Sequence, residues 1–206
     1  MTVIYIVRHA LTDAHQKRTV LSWTPGIVLN LEGRKQAFRV AEAIKDVELD
    51  EIISSPIERA YETASIIAQS KGMNVVKDGR FSEWNMGIWT GRHFDEVKRE
   101  YPEEFSIWRK KPHTLEVKGG ETLDRVAERM YNGLLNWANK CPEKTILIVS
   151  HKDPIRALLT KILKTDVEHI RSFEIEMASL SRITYRDNTF AIDLLNLIPW
   201  KPIHTW

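Results

Sequence analysis

Cysteine is almost absent from this sequence, and signals for export or membrane insertion are absent too. The 206 residues include one cysteine, Cys141, so no disulfide can form within the chain, which excludes a disulfide-stapled secreted domain. The first residues lack the basic segment and apolar stretch of a signal peptide. No apolar run approaches the roughly 18 residues that a membrane-spanning helix needs. We therefore expect a cytoplasmic protein with no membrane partner.

A strong charge of one sign is also missing. The formal net charge is +2 and no long basic run occurs, which argues against a nucleic-acid-binding protein but allows a local basic pocket. At this length we expect a single domain, residues 1–206, with one insertion. Tryptophan is plentiful, and Trp200 and Trp206 lie in the final tail. They either pack back on the core or form part of an oligomer interface, which leaves monomer and homodimer open.

Three apolar segments predict the strands of a parallel sheet. Residues 3–7 and 145–150 are rich in β-branched side chains and apolar on both faces, which is typical of central strands covered by helices. Residues 50–55 are a shorter version of the same pattern. Near the C-terminus, Asp187-Asn188 between two alternating segments predicts a hairpin.

Amphipathic patterns between the strands predict helices. Residues 31–45 form the first, with Asn30 as its N-cap. Ser55, Pro56 and Glu58 predict the start of the next, with the serine as cap, the proline in the first position and the glutamate completing a capping box. The buried stripe expected for the first helix comprises Leu31, Ala37, Val40, Ala41 and Ile44.

Further helices are expected in the second half of the chain. Residues 119–140 predict a long helix with a glycine-rich entry. Asp153-Pro154 repeats the cap-then-proline pattern, and Thr165 with Glu168 predicts another capping box.

The alternation of strands and helices predicts a three-layer, doubly wound, mostly parallel α/β sheet. Helices are expected on both faces, with the hairpin as an antiparallel edge. Residues 84–118 break this rhythm, because they are rich in Trp, Pro and charge and show at most two short helical pieces. We interpret them as a lid-like insertion over the C-terminal ends of the strands.

Basic side chains follow the predicted strands directly. Arg8-His9 comes after the first strand, His151 after the strand at 145–150, and Arg59 one turn into the helix after the third. In open α/β sheets, ligands bind outside the carboxyl ends of the strands. If these strands are neighbours, two histidines and two arginines converge, and such a cluster of cations suits a phosphoryl group.

The chemistry that fits this cluster is phosphoryl transfer. His9 could be a nucleophile toward phosphorus, while the other three basic groups neutralise the transferring group. Glu83, at the start of the insertion, is the best candidate to protonate the leaving alcohol. A bound phosphate should raise its pKa and keep it protonated.

Each of these residues also has a plain structural interpretation. An Arg-His pair can lie at the surface, Arg59 can be solvated, and Ser55 with Glu58 can simply start a helix. A metal site is the other alternative for clustered histidines. It is disfavoured, because no histidine pair has ligand spacing and arginines repel cations, so we expect no metal.

Six segments spread over nearly the whole chain are IVRHALT, LNLEGRKQA, SSPIERAYETA, EWNMGIWTG, GGET and VSHKDPIRALL. In order and spacing they resemble the motifs of the histidine phosphatase superfamily, also called the phosphoglycerate mutase-like family. The resemblance implies that the predicted strands are neighbours and that His9 becomes phosphohistidine. It also implies that Arg8, Arg59 and His151 form the phosphate pocket and that Glu83 is the proton donor.

The chain departs from the family pattern near both histidines. Ala10 replaces a usual glycine, which is sterically mild if its φ is negative. His15 stands where the family often has a phosphate-contacting asparagine, and it can both donate and titrate. Lys152-Asp153 replaces a Gly-Gly or Gly-small pair. We expect Asp153 to cap the following helix, and Lys152 to be either solvated or an added cation at the pocket rim.

Two enzymatic activities and one binding function compete. The mutases of this family have a longer insertion, a tyrosine where this chain has Met86, and a pair of arginines, whereas Arg109 here is followed by two lysines. This favours a phosphatase over a cofactor-dependent phosphoglycerate mutase. We expect no cofactor, and a bisphosphoglycerate primer only for a mutase. A module that binds a phosphorylated ligand without turnover would not need Glu83.

The expected partner is a small phosphorylated substrate. Several side chains are candidates for determining which substrate binds. An apolar wall and a cationic rim could select it, although each candidate could equally be a packing or solvated residue. The wall candidates are Trp84, Met86, Trp89 and Trp108, and the cation candidates are Lys17, Arg18, Arg109 and Lys111.

Overall fold

A six-stranded sheet forms the centre of the computed structural model, which describes residues 1–201 apart from the side chain of His15. Its strands are β1 (Thr2–Arg8), β2 (Glu51–Ser54), β3 (Val75–Lys77), β4 (Thr145–Ser150), β5 (Leu180–Arg186) and β6 (Thr189–Leu197). The strand order is β3-β2-β4-β1-β5-β6. The first four strands in the chain run parallel, while β5 pairs antiparallel with β1 and with β6. The predicted mostly parallel sheet with an antiparallel edge is confirmed.

The hairpin near the C-terminus was predicted from the sequence, whereas one short strand was not. The predicted hairpin is confirmed, because Asp187 and Asn188 both adopt positive φ, at 49° and 59°, as a tight hairpin turn requires. The strand β3 was not predicted. It has three residues, none fully buried, so it lacks the continuous apolar run of a central strand.

Helices cover both faces of the sheet. They are α1 (Leu31–Ala43), α2 (Glu58–Lys71), α3 (Phe94–Glu100), α4 (Pro102–Lys110), α5 (Leu123–Lys140) and α6 (Lys152–Ile162). Successive residues of a strand point to opposite faces, so Ile6 joins a core with α5 and α6 while Val7 joins a core with α1 and α2. The three-layer architecture is confirmed. No helix among residues 1–201 has the length and apolarity to cross a membrane.

The start of α1 agrees with the prediction, but one part of its stripe does not. The side chain of Asn30 accepts from the backbone N–H of Gly33 at 2.8 Å. Leu31 was expected to be buried, yet it is 73% exposed. The buried face begins two residues later, at Gly33, because the loop after β1 packs there.

The predicted capping box of α2 is wrong. The helix begins at Glu58, and its N-cap residue Ile57 makes no side-chain cap. Ser55 Oγ instead accepts from the Ile57 N–H at 3.2 Å and lies 2.8 Å from His151 Nε2. The Glu58 carboxylate accepts from the Gly26 N–H at 3.1 Å. Both side chains that the local pattern assigned to the cap therefore bind groups from distant parts of the chain.

Two other helix starts also differ from the prediction. Helix α6 begins at Lys152, with His151 as its N-cap residue, so Asp153 lies inside the first turn and does not cap it. Asp166, rather than Thr165, caps the 3-10 helix Val167–Ser172. Each cap falls one or two residues from the expected position, because the preceding strand or loop fixes where the helix can begin.

The segment 84–118 folds into four short helical pieces, more than the two at most that were expected. It contains α3 and α4 together with the 3-10 helices Gly87–Trp89 and Pro112–Thr114. Trp200 in the tail packs against the core that contains α1 and α2, and the guanidinium of Arg39 lies 5.5 Å from its ring centroid. The other tail tryptophan, Trp206, lies outside the described residues.

Candidate active site

The carboxyl ends of β1, β2 and β4 lie side by side, which brings the predicted basic groups together. Strand β4 pairs with both β1 and β2, so the residues that follow these strands emerge at one edge. The ring centroids of His9 and His151 are 5.1 Å apart. Arg59, at the start of α2, places its Nε 3.3 Å from His9 Nε2.

Two hydrogen bonds fix the tautomer of His9, which is 2% exposed. Its Nδ1 lies 2.8 Å from the carbonyl oxygen of Ala10, and a carbonyl can only accept, so Nδ1 carries the proton. Nε2 of the neutral ring is then the acceptor for the Arg59 Nε–H. Both contacts agree that Nε2 is the basic nitrogen and that it faces the arginine.

The two arginines are buried and partly committed to backbone carbonyls. Arg59, which is fully buried, donates from Nη2 to the carbonyl of Ser22 at 2.9 Å. Arg8 donates from Nη1 to the carbonyl of Ile175 at 2.7 Å. Burial lowers the pKa of both guanidinium groups, and the nearby Glu83 carboxyl opposes that effect. The remaining N–H groups of each fork are left for an anion.

His151 is a neutral imidazole held by Ser55. The ring is fully buried, and its Nε2 lies 2.8 Å from Ser55 Oγ. Burial, then the charges of Arg59, Arg129 and Arg8, hold the pKa of His151 well below its usual value. Its other nitrogen, Nδ1, lies 3.8 Å from Glu83 Oε2.

Glu83 lies in the loop that follows the 3-10 helix Gly79–Phe81. Its Oε1 accepts from the Trp84 N–H at 2.9 Å, and its Oε2 is 4.0 Å from Arg59 Nη2. Burial and, second, the Asp153 charge raise the pKa of Glu83 to about 7. A bound phosphate is expected to raise this pKa, and the fold by itself already raises it.

Three buried nitrogen atoms in this cluster have no hydrogen-bond partner among the described residues: Arg8 Nε, Arg59 Nη1 and His151 Nδ1. An unpaired buried donor costs about 1–3 kcal/mol. A tetrahedral anion with several acceptor oxygens would satisfy such donors. Their convergence supports the predicted anion site.

A cavity of about 310 Å³ lies against this cluster and extends toward the insertion. Trp84, Met86 and Trp108 line it, so these three stay candidates for the apolar wall. Trp89 does not, because its 1% exposed side chain belongs to the core and its ring centroid lies 6.2 Å from that of Tyr101. A second cavity of about 520 Å³ shares Trp84, Trp108, Lys152 and Asp153 with the first.

The candidate cations are divided around these cavities. Arg18 lines the first cavity and pairs with Asp95 at 3.3 Å, and Arg109 lines the second. Lys17 and Lys111 are exposed and lie outside both linings.

Lys152 lies at the rim of both cavities and is not simply solvated. Its Nζ donates to the Glu174 carboxylate at 2.9 Å. Arg156 binds the same carboxylate at 2.8 Å and reaches Asp153 at 3.4 Å. The Lys-Asp departure from the family pattern therefore forms part of a local ion-pair network.

The other two departures have different outcomes. Ala10 is fully buried and does not adopt a positive φ, so alanine fits the backbone that the family usually builds with glycine. Its N–H donates to Thr63 Oγ1 at 3.1 Å. The side chain of His15 lies outside the described residues, and its predicted contact with phosphate stays a prediction.

Ser22 is a site residue that sequence reasoning missed. Its carbonyl accepts from Arg59, and its Oγ accepts from the Met86 N–H at 2.9 Å and donates to the Trp84 carbonyl at 2.9 Å. Its φ of 38° is unusual for a residue with a side chain. It lies in an irregular loop with no motif, so no local pattern marked it.

Comparison with known proteins identifies the family. The model of the histidine phosphatase superfamily (branch 1) matches residues 4–198. The chain is 34% identical over 205 residues to a protein named phosphoserine phosphatase 1 from Hydrogenobacter thermophilus, covering 96% of this chain and 93% of that protein. It is 31% identical over 192 residues to a probable phosphoglycerate mutase GpmB of Cronobacter sakazakii, covering 91% and 87%.

A solved structure agrees with this assignment. Bacillus stearothermophilus YhfR superimposes with a TM-score of 0.90 at 27% identity, covering 94% of this chain and 96% of that one. The chain belongs to the histidine phosphatase superfamily, as the six motifs indicated.

Proposed function

We propose that this protein hydrolyses phosphomonoesters through a phosphohistidine on His9, with Glu83 as the general acid. The observation that carries the proposal is the fixed tautomer of His9, whose basic Nε2 lies in the same buried cluster as a carboxyl with a pKa of about 7. A nucleophile and an acid with separated protonation states are what ester cleavage needs near neutral pH. The relative named as a phosphoserine phosphatase supports the hydrolase assignment.

The first step transfers the phosphoryl group to the enzyme. The lone pair of His9 Nε2 forms a bond to phosphorus while the bond between phosphorus and the ester oxygen breaks. The proton of Glu83 goes to that oxygen, so the product leaves as a neutral alcohol and Glu83 is left as a carboxylate.

The second step returns the enzyme to its starting state. The Glu83 carboxylate accepts a proton from water as the water oxygen attacks phosphorus. The bond between phosphorus and Nε2 breaks, inorganic phosphate is released, and Glu83 is protonated again.

The basic groups around His9 stabilise the transferring group in both steps. Arg8 and Arg59 supply fixed positive charge to the equatorial oxygens, and neutral His151 donates a hydrogen bond without adding charge. Ser55 can donate its hydroxyl proton to His151 Nε2, which leaves Nδ1 as the donor toward the substrate. We assign His15 and Lys152 to substrate binding at the edge of the pocket.

The proposal requires no metal and no cofactor. No group of three or more metal-binding side chains occurs in the described part of the chain, and the arginines supply the charge that a metal would. We propose that residues 1–206 act as one cytoplasmic domain on a small phosphorylated substrate, with 84–118 covering the pocket.

The alternative activity is a phosphoglycerate mutase, which a bisphosphoglycerate primer would start. Met86 stands where the family's mutases have a tyrosine, and its side chain lines the cavity, which favours hydrolysis. The relative named as a probable mutase keeps the alternative open to test. With 3-phosphoglycerate and a catalytic amount of the bisphosphate, we expect free phosphate to appear faster than 2-phosphoglycerate. The reverse order would establish the mutase.

The experiment that tests the proposal measures phosphate release from an aryl phosphate and from a panel of phosphorylated metabolites, starting with O-phosphoserine. Activity is expected at mildly acidic to neutral pH and should not change with EDTA. His9→Ala should abolish it, whereas His169→Ala, at a ring that is 54% exposed, should leave it unchanged. Full activity of His9→Ala would sink the nucleophile assignment, and binding of phosphate without turnover would favour the binding module.

A further inference from the structure

A partly buried ion pair holds the loop that carries Glu83. Arg129 on α5 donates to the carbonyl oxygens of Ser82 and Glu83, at 2.8 and 2.9 Å. It also donates to the Arg80 carbonyl at 2.8 Å. Its Nε and Nη2 bind the two oxygens of the Glu121 carboxylate at 2.7 and 3.0 Å. All five N–H groups of the guanidinium therefore have an acceptor.

Glu121 holds the same loop from the other side of Glu83. Its Oε2 accepts from the Asn85 N–H at 3.1 Å, and its own N–H donates to the Asn85 carbonyl at 2.9 Å. Its carbonyl accepts from Trp84 Nε1 at 2.8 Å. Arg129 and Glu121 together fasten the backbone from residue 80 to residue 85.

This fastening matters because no strand or α-helix holds Glu83. The residue follows a three-residue 3-10 helix and precedes an irregular segment, so no regular backbone ladder fixes the direction of its side chain. The Trp23 Nε1–H adds one contact to the Glu83 carbonyl, at 2.6 Å. Arg129 contributes a second contact to that carbonyl and ties it to a long helix.

We infer that the Arg129–Glu121 ion pair is a positioning pair, which aims the Glu83 carboxyl at the leaving oxygen without touching the substrate. This inference rests on the proposed function, since it concerns the acid of the first step. A proton donor must lie within hydrogen-bond reach of the oxygen that it protonates. A displacement of about 1 Å can cost roughly 100-fold in rate.

The choice of arginine and glutamate follows from the geometry. The planar guanidinium reaches three carbonyls and one carboxylate at once, which a lysine ammonium with three N–H groups cannot do. The GGET segment, one of the six motif segments, supplies the glutamate of this pair. Its position just before α5 lets it face both Arg129 and the loop.

The test compares two substrates that differ in their need for an acid. An alkyl phosphate has a poor leaving group and depends on Glu83, whereas a nitrophenyl phosphate has a good one. We compare kcat/KM, which reports the first step, because Glu83 also acts as the base of the second step on both substrates. We expect Arg129→Gln to lower kcat/KM on the alkyl phosphate by about 10- to 100-fold and to leave kcat/KM on the nitrophenyl phosphate within a few-fold. Glu121→Gln should act in the same direction, and Arg129→Lys should fall between wild type and Arg129→Gln.

The controls separate a positioning role from a general loss of structure. Arg125→Gln changes an exposed arginine one turn away on the same helix and should lose nothing on either substrate. In a Glu83→Gln background, Arg129→Gln should add no further loss on the alkyl phosphate, because there is no acid left to position. Thermal unfolding identifies any variant that does not fold. If Arg129→Gln does not fold, Glu121→Gln is compared with wild type on the two substrates instead.

Each outcome decides a different claim. Suppose that Arg129→Gln lowers kcat/KM equally on both substrates, or on neither, while Glu83→Gln lowers it mainly on the alkyl phosphate. The positioning role is then wrong and the proposed function stands. If Glu83→Gln itself shows no selectivity, the acid assignment fails and the positioning role fails with it.

Discussion

Folding favours the protonated form of the Glu83 carboxyl group over the ionised form. Burial and the nearby Asp153 raise its pKa from 4.5 to about 7, so the folded protein binds this proton more tightly than the unfolded chain does. Below about pH 4.5 Glu83 is protonated in both the folded and the unfolded state, so its titration does not change the free energy of unfolding there. It falls as the pH rises toward and through about 7, because ionised Glu83 is disfavoured in the fold.

Glu83→Gln should consequently stabilise the protein at alkaline pH while impairing its activity. One pKa unit corresponds to about 1.36 kcal/mol, so the gain at pH 8 is on the order of 3 kcal/mol, with little gain at pH 4.5. Urea unfolding at the two pH values measures it. Glu103→Gln, at an exposed carboxylate, is the control and should gain nothing. An equal effect of Glu83→Gln at both pH values would contradict the raised pKa.

At the scale of elements, the start of α1 holds the loop that follows His9. A Cβ atom on Gly33 would lie 2.0 Å from the carbonyl oxygen of Leu11, so the helix and the loop can touch only through a glycine. The Leu11 N–H also donates to Gln36 Oε1 at 3.0 Å, and its carbonyl accepts from the Asn30 N–H at 3.1 Å. These contacts give a physical reason for the glycine and the glutamine in LNLEGRKQA.

Gly33→Ala should therefore destabilise the protein, although alanine is the better helix former by about 1 kcal/mol. The overlap with the Leu11 backbone should cost about 1–3 kcal/mol and lower phosphatase activity, because the loop also carries His9. Gly79→Ala is the matched control, since a Cβ there would meet no atom within 4 Å. Thermal unfolding of both variants tests this. A Gly33→Ala protein as stable as wild type would mean that the loop moves freely.

Across the whole molecule, the sequence could predict those features that depend on local patterns. Buried strands, the hairpin at Asp187 and the position of His9 at a strand end are all readable from runs of side chains. The motif resemblance added the expectation that the strands are neighbours, which the strand order confirms. The edge strand β3 was missed because it lacks such a run.

The features that could not be predicted depend on partners far away in the chain. Ser55 and Glu58 look like a capping box, but His151 and Gly26 take their side chains. Arg129 looks like a solvated helix residue, yet it binds carbonyls about 46 residues upstream. A local pattern contains no information about such contacts, and the site is built largely from them.

The most direct measurement of the central claim is a rapid-quench experiment with phosphate-labelled substrate. We predict that one phosphoryl group per chain appears on the peptide that contains His9 within the first turnover, that the label is stable in alkali and lost in acid, and that His9→Ala forms none. Labelling of another residue, or turnover by the wild type with no labelled enzyme under conditions that trap phosphohistidine, would contradict the mechanism.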